Sequence, residues 1–296
     1  MAHIEIMTLL QKNIGIFAPS SSIIPQKFEA GLKILHDHGY KTLVHPQTYL
    51  GAGDETQLAG TTADKLKAYI DLCNDPSIDF LMAAAGGNRT CFLLEEIAKL
   101  KKHKPIMGYS DITALLGLHH KLGIPSLFGP TVQTFARMDT HYIEQTFDML
   151  NATAGKQTKI NLSGAETLSE DTITAPIFAA TLSVLNCLIG TPYMPDLSGY
   201  ILVIEDIGDE ASSIDRMLWQ LLSVTKPAAL IFGQFVDGEE TGRPYGQTLK
   251  EILSMHAERT KIPTLYNTPI DHYGRIFPIQ CGKTATLDAT NRILIL

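Results

Sequence analysis

The chain has 296 residues, 45% of them hydrophobic and 19% charged, and carries a formal net charge of −7. A length near 300 allows one large domain or two ordinary ones, with enough buried surface to need no metal or disulfide staple. The acidic balance argues against a binder of nucleic-acid backbone, whose footprint is a basic patch. No apolar run reaches the length that spans a bilayer. Cys73, Cys91, Cys187 and Cys281 lie far apart with no CxxC spacing, which suits free thiols in a reducing compartment. The opening MAHIEIMTLLQKN lacks the basic and apolar regions of a signal peptide, so the expected location is cytoplasmic.

Residues 14–18, IGIFA, predict a buried parallel strand that Pro19 and a serine cluster terminate. A helix follows over 25–38, with Pro25 at its first position and Phe28, Leu32 and Leu35 on one face. Gly39 stops it and YKTLVHP reads as the next strand, completing a βαβ unit. The Ser20–Ser22 loop therefore falls at a strand's carboxyl end, where open α/β sheets bind ligands, although loop serines are also ordinary turn formers. Thr61 or Thr62 caps a helix containing Leu66, Ile70 and Leu72. IDFLMAAA is then a strand ending in Gly86, Gly87 and Asn88, and paired glycines there permit a tight turn or close backbone approach to a ligand. No GxGxxG or Walker pattern surrounds them, which weakens a nucleotide-binding reading. CFLLEEIAKLKKHK predicts a helix with a lysine-rich end suited to its dipole.

In PIMGYSDITALL, residues 105–116, an apolar run turns into a helix at Ser110. Ser110 reads either as a helix N-cap or as a nucleophile beside the unpaired N–H groups of a first helical turn. Three strand-to-helix turns, at Ser20, Gly86 and Ser110, are expected on one rim.

Residues 151–174 are polar and turn-rich and predict a linker or edge-strand region between domains. Beyond them APIFAATLSVLNCLIGTPY reads as a buried helix, and GYILVI as a strand ending at Glu205 and Asp206. DEASSIDRMLWQLLSV is a helix with Ser212 and Ser213 as caps, AALIFGQF a buried strand, and GKTATLDATNRILIL a hairpin. Glu205 is an acid–base candidate because a carboxylate at the end of an apolar strand is costly to bury unpaired. His272, in the PIDHYG turn, is a second candidate. The plain alternatives are a solvated strand end and an exposed loop histidine. Asp206 rivals Glu205. No histidine or cysteine cluster has metal-ligand spacing, so neither metal nor cofactor is expected. The chain order Ser…Glu…His is that of α/β hydrolases, although GYSDI lacks the closing glycine of GxSxG.

These stretches together resemble the LD-carboxypeptidase family of serine peptidases, which includes murein tetrapeptide carboxypeptidases and microcin C7 self-immunity proteins. The resemblance is carried by IFAPSS (16–21), LAGT (58–61), GGN (86–88), GYSDIT (108–113), LIGTPY with IEDIGDEASSIDRML (188–218), and TPIDHYG with GKTATLDA near the end. It implies an α/β fold: a Rossmann-like domain over 1–150, a linker or edge region over 151–173, and a smaller mixed β-rich domain over 174–296. Carried over by motif, Ser110 is the nucleophile, Glu205 the orienting carboxylate and His272 the base, and the backbone N–H groups of Asp111 and the Gly86–Gly87 turn form the oxyanion hole. The implied substrate is a small peptide, a murein-derived tetrapeptide, in peptidoglycan recycling, and the implied assembly a homodimer. The sequence departs from the family at two places. Murein-cleaving members usually carry an arginine where this chain has Ala85, and many carry Gly-Gly-Asn where it reads Phe178, Ala179, Ala180 and Thr181. Those departures bring forward two alternatives: an immunity-type hydrolase of an aminoacyl-nucleotide amide, and a non-catalytic peptide-binding protein.

Overall fold

The computed structural model describes residues 13–53, 57–151, 157–167 and 171–296. The N-terminal segment read as lacking a signal peptide lies outside the described residues, save Asn13, as does part of the turn-rich stretch at 151–174.

The first part of the chain alternates strand and helix: β1 (Asn13–Phe17), α1 (Pro25–Asp37), β2 (Lys41–Val44), α2 (Thr62–Asn74), β3 (Phe80–Ala83), α3 (Leu94–Ala98), β4 (Ile106–Gly108), α4 (Thr113–Lys121), β5 (Ser126–Phe128) and α5 (Thr140–Leu150). Pro25 occupies the first turn of α1, and Phe28, Leu32 and Leu35 are buried beneath it; each such side chain contributes about 1.5–3 kcal/mol by leaving water. Thr61 caps α2 in a reciprocal pair with Asp64; Lys65, Ala68, Tyr69 and Leu72 are buried, while Leu66 and Ile70 are partly exposed. Lys65 tolerates burial because its ammonium donates to the Ser20 carbonyl. The helix expected over 91–104 is only a 3-10 turn at Thr90–Leu93 followed by the short α3, so the lysine run lies beyond its end.

The second part comprises β6 (Lys159–Asn161), β7 (Glu166–Thr167), β8 (Thr172–Thr181), α6 (Leu182–Leu188), β9 (Ile201–Ile207), α7 (Ala211–Val224), β10 (Ala229–Val236), α8 (Leu249–Thr260), β11 (Thr264–Tyr266), β12 (Ile279–Gln280), β13 (Thr284–Asp288) and β14 (Ile293–Ile295). The expected helix from Ala175 is corrected here. Residues 172–181 are a ten-residue strand, and the helix begins only at Leu182. An apolar run does not reveal its period when both faces are buried. Ile177–Thr181, the half of β8 that pairs with β9, is such a stretch. The strand through Ile201–Ile207 likewise continues past Glu205 and Asp206. Glu210, not Ser212 or Ser213, occupies the N-cap position of α7.

Two sheets result. The first runs β12-β5-β4-β3-β1-β2, parallel throughout except for the antiparallel β12. The second, mixed sheet runs β6-β14-β13-β8-β9-β10-β11-β7. Residues 159–161 and 166–167 thus supply its two edge strands. In the first sheet the strand order reverses between β1 and β3. Doubly wound sheets open their ligand crevice at that reversal, outside the carboxyl ends of the strands. The loops leaving β1 and β3 are those of Ser20 and Gly86.

Candidate active site

Ser110 sits where β4 turns into α4, at the first residue of a 3-10 turn spanning Ser110–Ile112. Its φ is +63°, a left-handed conformation that costs a non-glycine residue of order 1–3 kcal/mol and persists only where the surroundings impose it. The extended residue before the turn is Tyr109, so the N-cap reading of Ser110 gives way to that of a strained elbow that lifts its hydroxyl out of the sheet. Gly86 lies directly against it: a Cβ at Gly86 would come within 2.8 Å of the Ser110 Cβ. Gly87, at φ +127°, leaves no room for a side chain beside Ser21, whose Oγ would stand 2.0 Å from a Cβ there. The paired glycines are therefore required by the close meeting of three rim loops. Asp111, 7% exposed, ties those loops together: its carboxylate accepts from Ser20 Oγ at 2.6 Å, Thr90 N at 2.9 Å and Thr90 Oγ1 at 2.6 Å.

Glu205 and His272 come from the second part of the chain. Glu205 is 1% exposed and His272 6% exposed, so neither is a solvated strand end or a loose loop residue. His272 Nδ1 and Glu205 Oε2 are 2.7 Å apart. The other carboxylate oxygen of Glu205 accepts from the Thr181 hydroxyl, and Thr181 is the direct cross-strand neighbour of Glu205 in the β8–β9 ladder. Successive strand residues point to opposite faces, and Asp206 accordingly turns away to accept from Ser183 N at 2.7 Å and Ser183 Oγ at 3.0 Å at the start of α6. The His272 loop is shaped by Asp271, whose Oδ1 accepts from the backbone N–H groups of Tyr273, Gly274 and Arg275. It is pinned to the first sheet by Tyr109, whose hydroxyl donates to the His272 carbonyl at 3.0 Å.

Ser110 and His272 line one cleft of about 770 Å³, together with Ser21, Ala85, Gly86 and Gly87. Asp111 and Glu205 stand behind its surface. Three roles went unseen in the sequence: those of Thr181, Tyr109 and Arg137. Arg137, at the end of a 3-10 turn spanning Val132–Arg137, lines the cleft and donates to the Tyr109 hydroxyl and, at 2.8 Å, to the His272 carbonyl. No motif flagged it, because the turn that presents it carries no periodic signal. Among the described residues no group of His, Cys, Asp and Glu could hold a metal ion, and no helix is long and apolar enough to cross a membrane.

The two halves of this arrangement match known sequence patterns in register. Residues 14–129 match the LD-carboxypeptidase N-terminal domain and residues 174–287 its C-terminal domain. The chain belongs to the LD-carboxypeptidase family. It is 32% identical to a putative carboxypeptidase of Treponema pallidum, covering 74% of this chain and 73% of that one. It is 25% identical to the murein tetrapeptide carboxypeptidase of Pseudomonas aeruginosa over 95% and 94% of the two chains. Among solved structures, the muramoyltetrapeptide carboxypeptidase from Oxalobacter formigenes superposes with a TM-score of 0.82 at 25% identity, covering 96% of this chain and 97% of that one. The microcin C7 self immunity protein bound to aspartyl sulfamoyl adenosine shares the fold at a TM-score of 0.84 and 20% identity, over 97% and 96%. As an LD-carboxypeptidase family member the chain is a peptide hydrolase.

Proposed function

We propose that this LD-carboxypeptidase family member hydrolyses the terminal L,D-peptide bond of a murein-derived tetrapeptide, with Ser110 as nucleophile, His272 as general base and Glu205 as its orienting carboxylate. The observation that carries the reading is the strained Ser110 elbow sharing a cleft with an imidazole whose Nδ1 is held at 2.7 Å by a buried carboxylate. With Nδ1 engaged by Glu205, Nε2 is left to take the Ser110 proton as Oγ attacks the carbonyl carbon. The same proton then passes to the leaving amine as the C–N bond breaks, and water releases the acyl group by the reverse relay. Backbone N–H groups of Asp111 and of the Gly86–Gly87 turn stabilise the oxyanion in this scheme; the close packing of Gly86 on Ser110 supports it.

A second reading is favoured by Ala85, which lines the cleft where murein-cleaving relatives usually carry arginine: hydrolysis of an aminoacyl-nucleotide amide, as suits the immunity-protein branch. The reading also divides the chain at 151–173; the first sheet draws its strands from before that stretch, save β12, while the stretch itself gives the second sheet its edge strands β6 and β7. A cytoplasmic location is supported by the four free cysteines, and the homodimer rests on the family resemblance.

Mass spectrometry of the products formed from murein tetrapeptide and from an aminoacyl-nucleotide amide decides between the two substrates. Release of a terminal amino acid from the tetrapeptide is expected. Ser110→Ala is expected to cut turnover by about 10⁶ while leaving the circular dichroism spectrum unchanged. A Ser110→Ala enzyme with near wild-type turnover overturns the assignment.

A further inference from the structure

The charge lining the cleft differs from that of the molecule. The chain carries a net charge of −7, yet Lys27 and Arg137 line the cleft and no aspartate or glutamate does so among the described residues. A cleft lined by one sign of charge concentrates ligands of the other. Arg137 is also placed on a particular side of the nucleophile. Thr134 and Arg137 stand three residues apart on a 3-10 turn, where such side chains eclipse, and both reach the Tyr109 hydroxyl. Arg137 also grips the His272 carbonyl, so its guanidinium lies beside the residue proposed to protonate the leaving amine. The guanidinium carbon lies over the Tyr273 ring, 5.6 Å from its centroid. The bonds to Tyr109 and His272 both use Nη2, and the side chain is exposed to the cleft. A guanidinium has five donors in a rigid fork that matches a carboxylate.

Resting on the proposed peptidase reading, we infer that Arg137 docks the free carboxylate of the substrate's terminal residue. In a carboxypeptidase substrate the leaving nitrogen is separated from that carboxylate by a single carbon. A cation beside the proton donor for the leaving nitrogen is therefore within reach of the carboxylate, whereas a cation at the far end of the cleft is not. Arg137 thus performs from a different loop the task that an arginine at position 85 would suit, and it selects for substrates ending in a free acid. It is a specificity residue, and Lys27, in the first turn of α1, is the control.

The experiment compares the tetrapeptide with its C-terminal amide on the full-length enzyme, with wild type, Arg137→Met, Arg137→Lys and Lys27→Met. Wild type is expected to favour the free acid in kcat/KM by about 10- to 100-fold, the range of a charge-assisted carboxylate contact. Arg137→Met lowers kcat/KM for the acid more than for the amide and brings the two substrates within about threefold of each other, Arg137→Lys restores part of the preference, and Lys27→Met keeps it. An equal loss on both substrates in Arg137→Met overturns the inference, because it marks a role confined to holding Tyr109 and His272. Equal wild-type rates on acid and amide, or a preference abolished by Lys27→Met alone, overturn it as well. If wild type cleaves neither substrate, the peptidase reading falls separately, and calorimetric binding to the Ser110→Ala background judges Arg137. Tighter binding of the acid that Arg137→Met abolishes upholds the inference, and equal affinities overturn it.

Discussion

The loops of the first sheet and the residues supplied by the second sheet build the cleft by different means. Around Ser110 every part is local: a short strand, a small or polar residue at its end, and the first turn of a helix. Glu205, Thr181 and His272 have no such local origin. Their meeting depends on β8 pairing with β9 so that Thr181 faces Glu205, and on a loop after β11 that is held by Asp271 and pinned by Tyr109. The first region sets its geometry through backbone conformation, the second through register. Each can be disturbed without the other, and the cost should differ in kind.

Among changes that leave Ser110 in place, the largest effect comes from the second region. Glu205→Gln keeps the shape but offers His272 Nδ1 either an amide oxygen or an amide N–H in place of a carboxylate, so the imidazole loses its charge partner and can take the wrong tautomer. In the proposed triad, loss of the orienting carboxylate is expected to cost about 10⁴ in kcat. Asp206→Asn, which alters the neighbouring carboxylate on the opposite face of the same strand, is expected to stay within about tenfold of wild type. Steady-state hydrolysis measured side by side separates them. Equal losses would show that β9 as a whole, rather than the Glu205 contact, matters.

A smaller loss is expected from the first region. Gly86→Ala drives a methyl group to within 2.8 Å of Ser110 Cβ and 3.0 Å of its Oγ. A neighbouring main-chain segment must shift by a few tenths of an ångström or more. Misplacement of the proposed nucleophile is expected to cost up to about 10² in turnover. Unlike Glu205→Gln, this change should leave the tautomer of His272, read by NMR of the imidazole nitrogens, untouched. A Gly86→Ala enzyme of full activity would mean that the two loops are freer to separate than their packing implies.

The same division explains what the sequence disclosed. The alternation of strand and helix from β1 to α4 was legible because elements carry their own start or stop signals, such as Gly39 after α1 or Thr61 before α2. The elbow at Ser110 and the glycine pair were visible as motifs, although only the +63° φ distinguishes an elbow from a cap. In the second part, residues 175–181 were misread as helix. The buried half of that strand, Ile177–Thr181, shows no alternation, and the misreading hid the contact of Thr181 with Glu205. Glu205 and Asp206 could not be separated without knowing which face of β9 meets His272. Arg137 was invisible for a third reason: its importance comes from what it is folded against, Tyr109 and the His272 carbonyl, which lie 28 and 135 residues away.

The smallest effect concerns stability, and it uses the carboxylate left out of the catalytic scheme. Asp206 is 1% exposed, and its burial raises its pKa to about 7, with hydrogen bonds from Ile207 and Ser183 opposing the rise and the charges of Glu205 and Asp209 adding to it. Between the unfolded value near 4 and about 7, the folded chain therefore holds a proton that the unfolded chain has released. Asp206's contribution to stability is present in full below pH 4 and is lost as pH rises through 7. His119 acts in the opposite direction. Burial lowers its pKa to about 3, so the folded chain resists a proton that the unfolded chain binds below about 6.5, and stability falls with acid. The two dependences largely offset each other across the same range. Asp206→Asn removes only the first. The variant loses one carboxylate oxygen facing Ser183 and is expected to be less stable than wild type at pH 4.5. The gap should close as pH rises toward 7, by at most about 1.4 kcal/mol per unit. Urea unfolding at pH 4.5 and pH 7 measures the gap directly. A constant difference at both values would mean that Asp206 ionises in the fold as it does in the open chain, and that its hydrogen bonds at the start of α6 outweigh its burial.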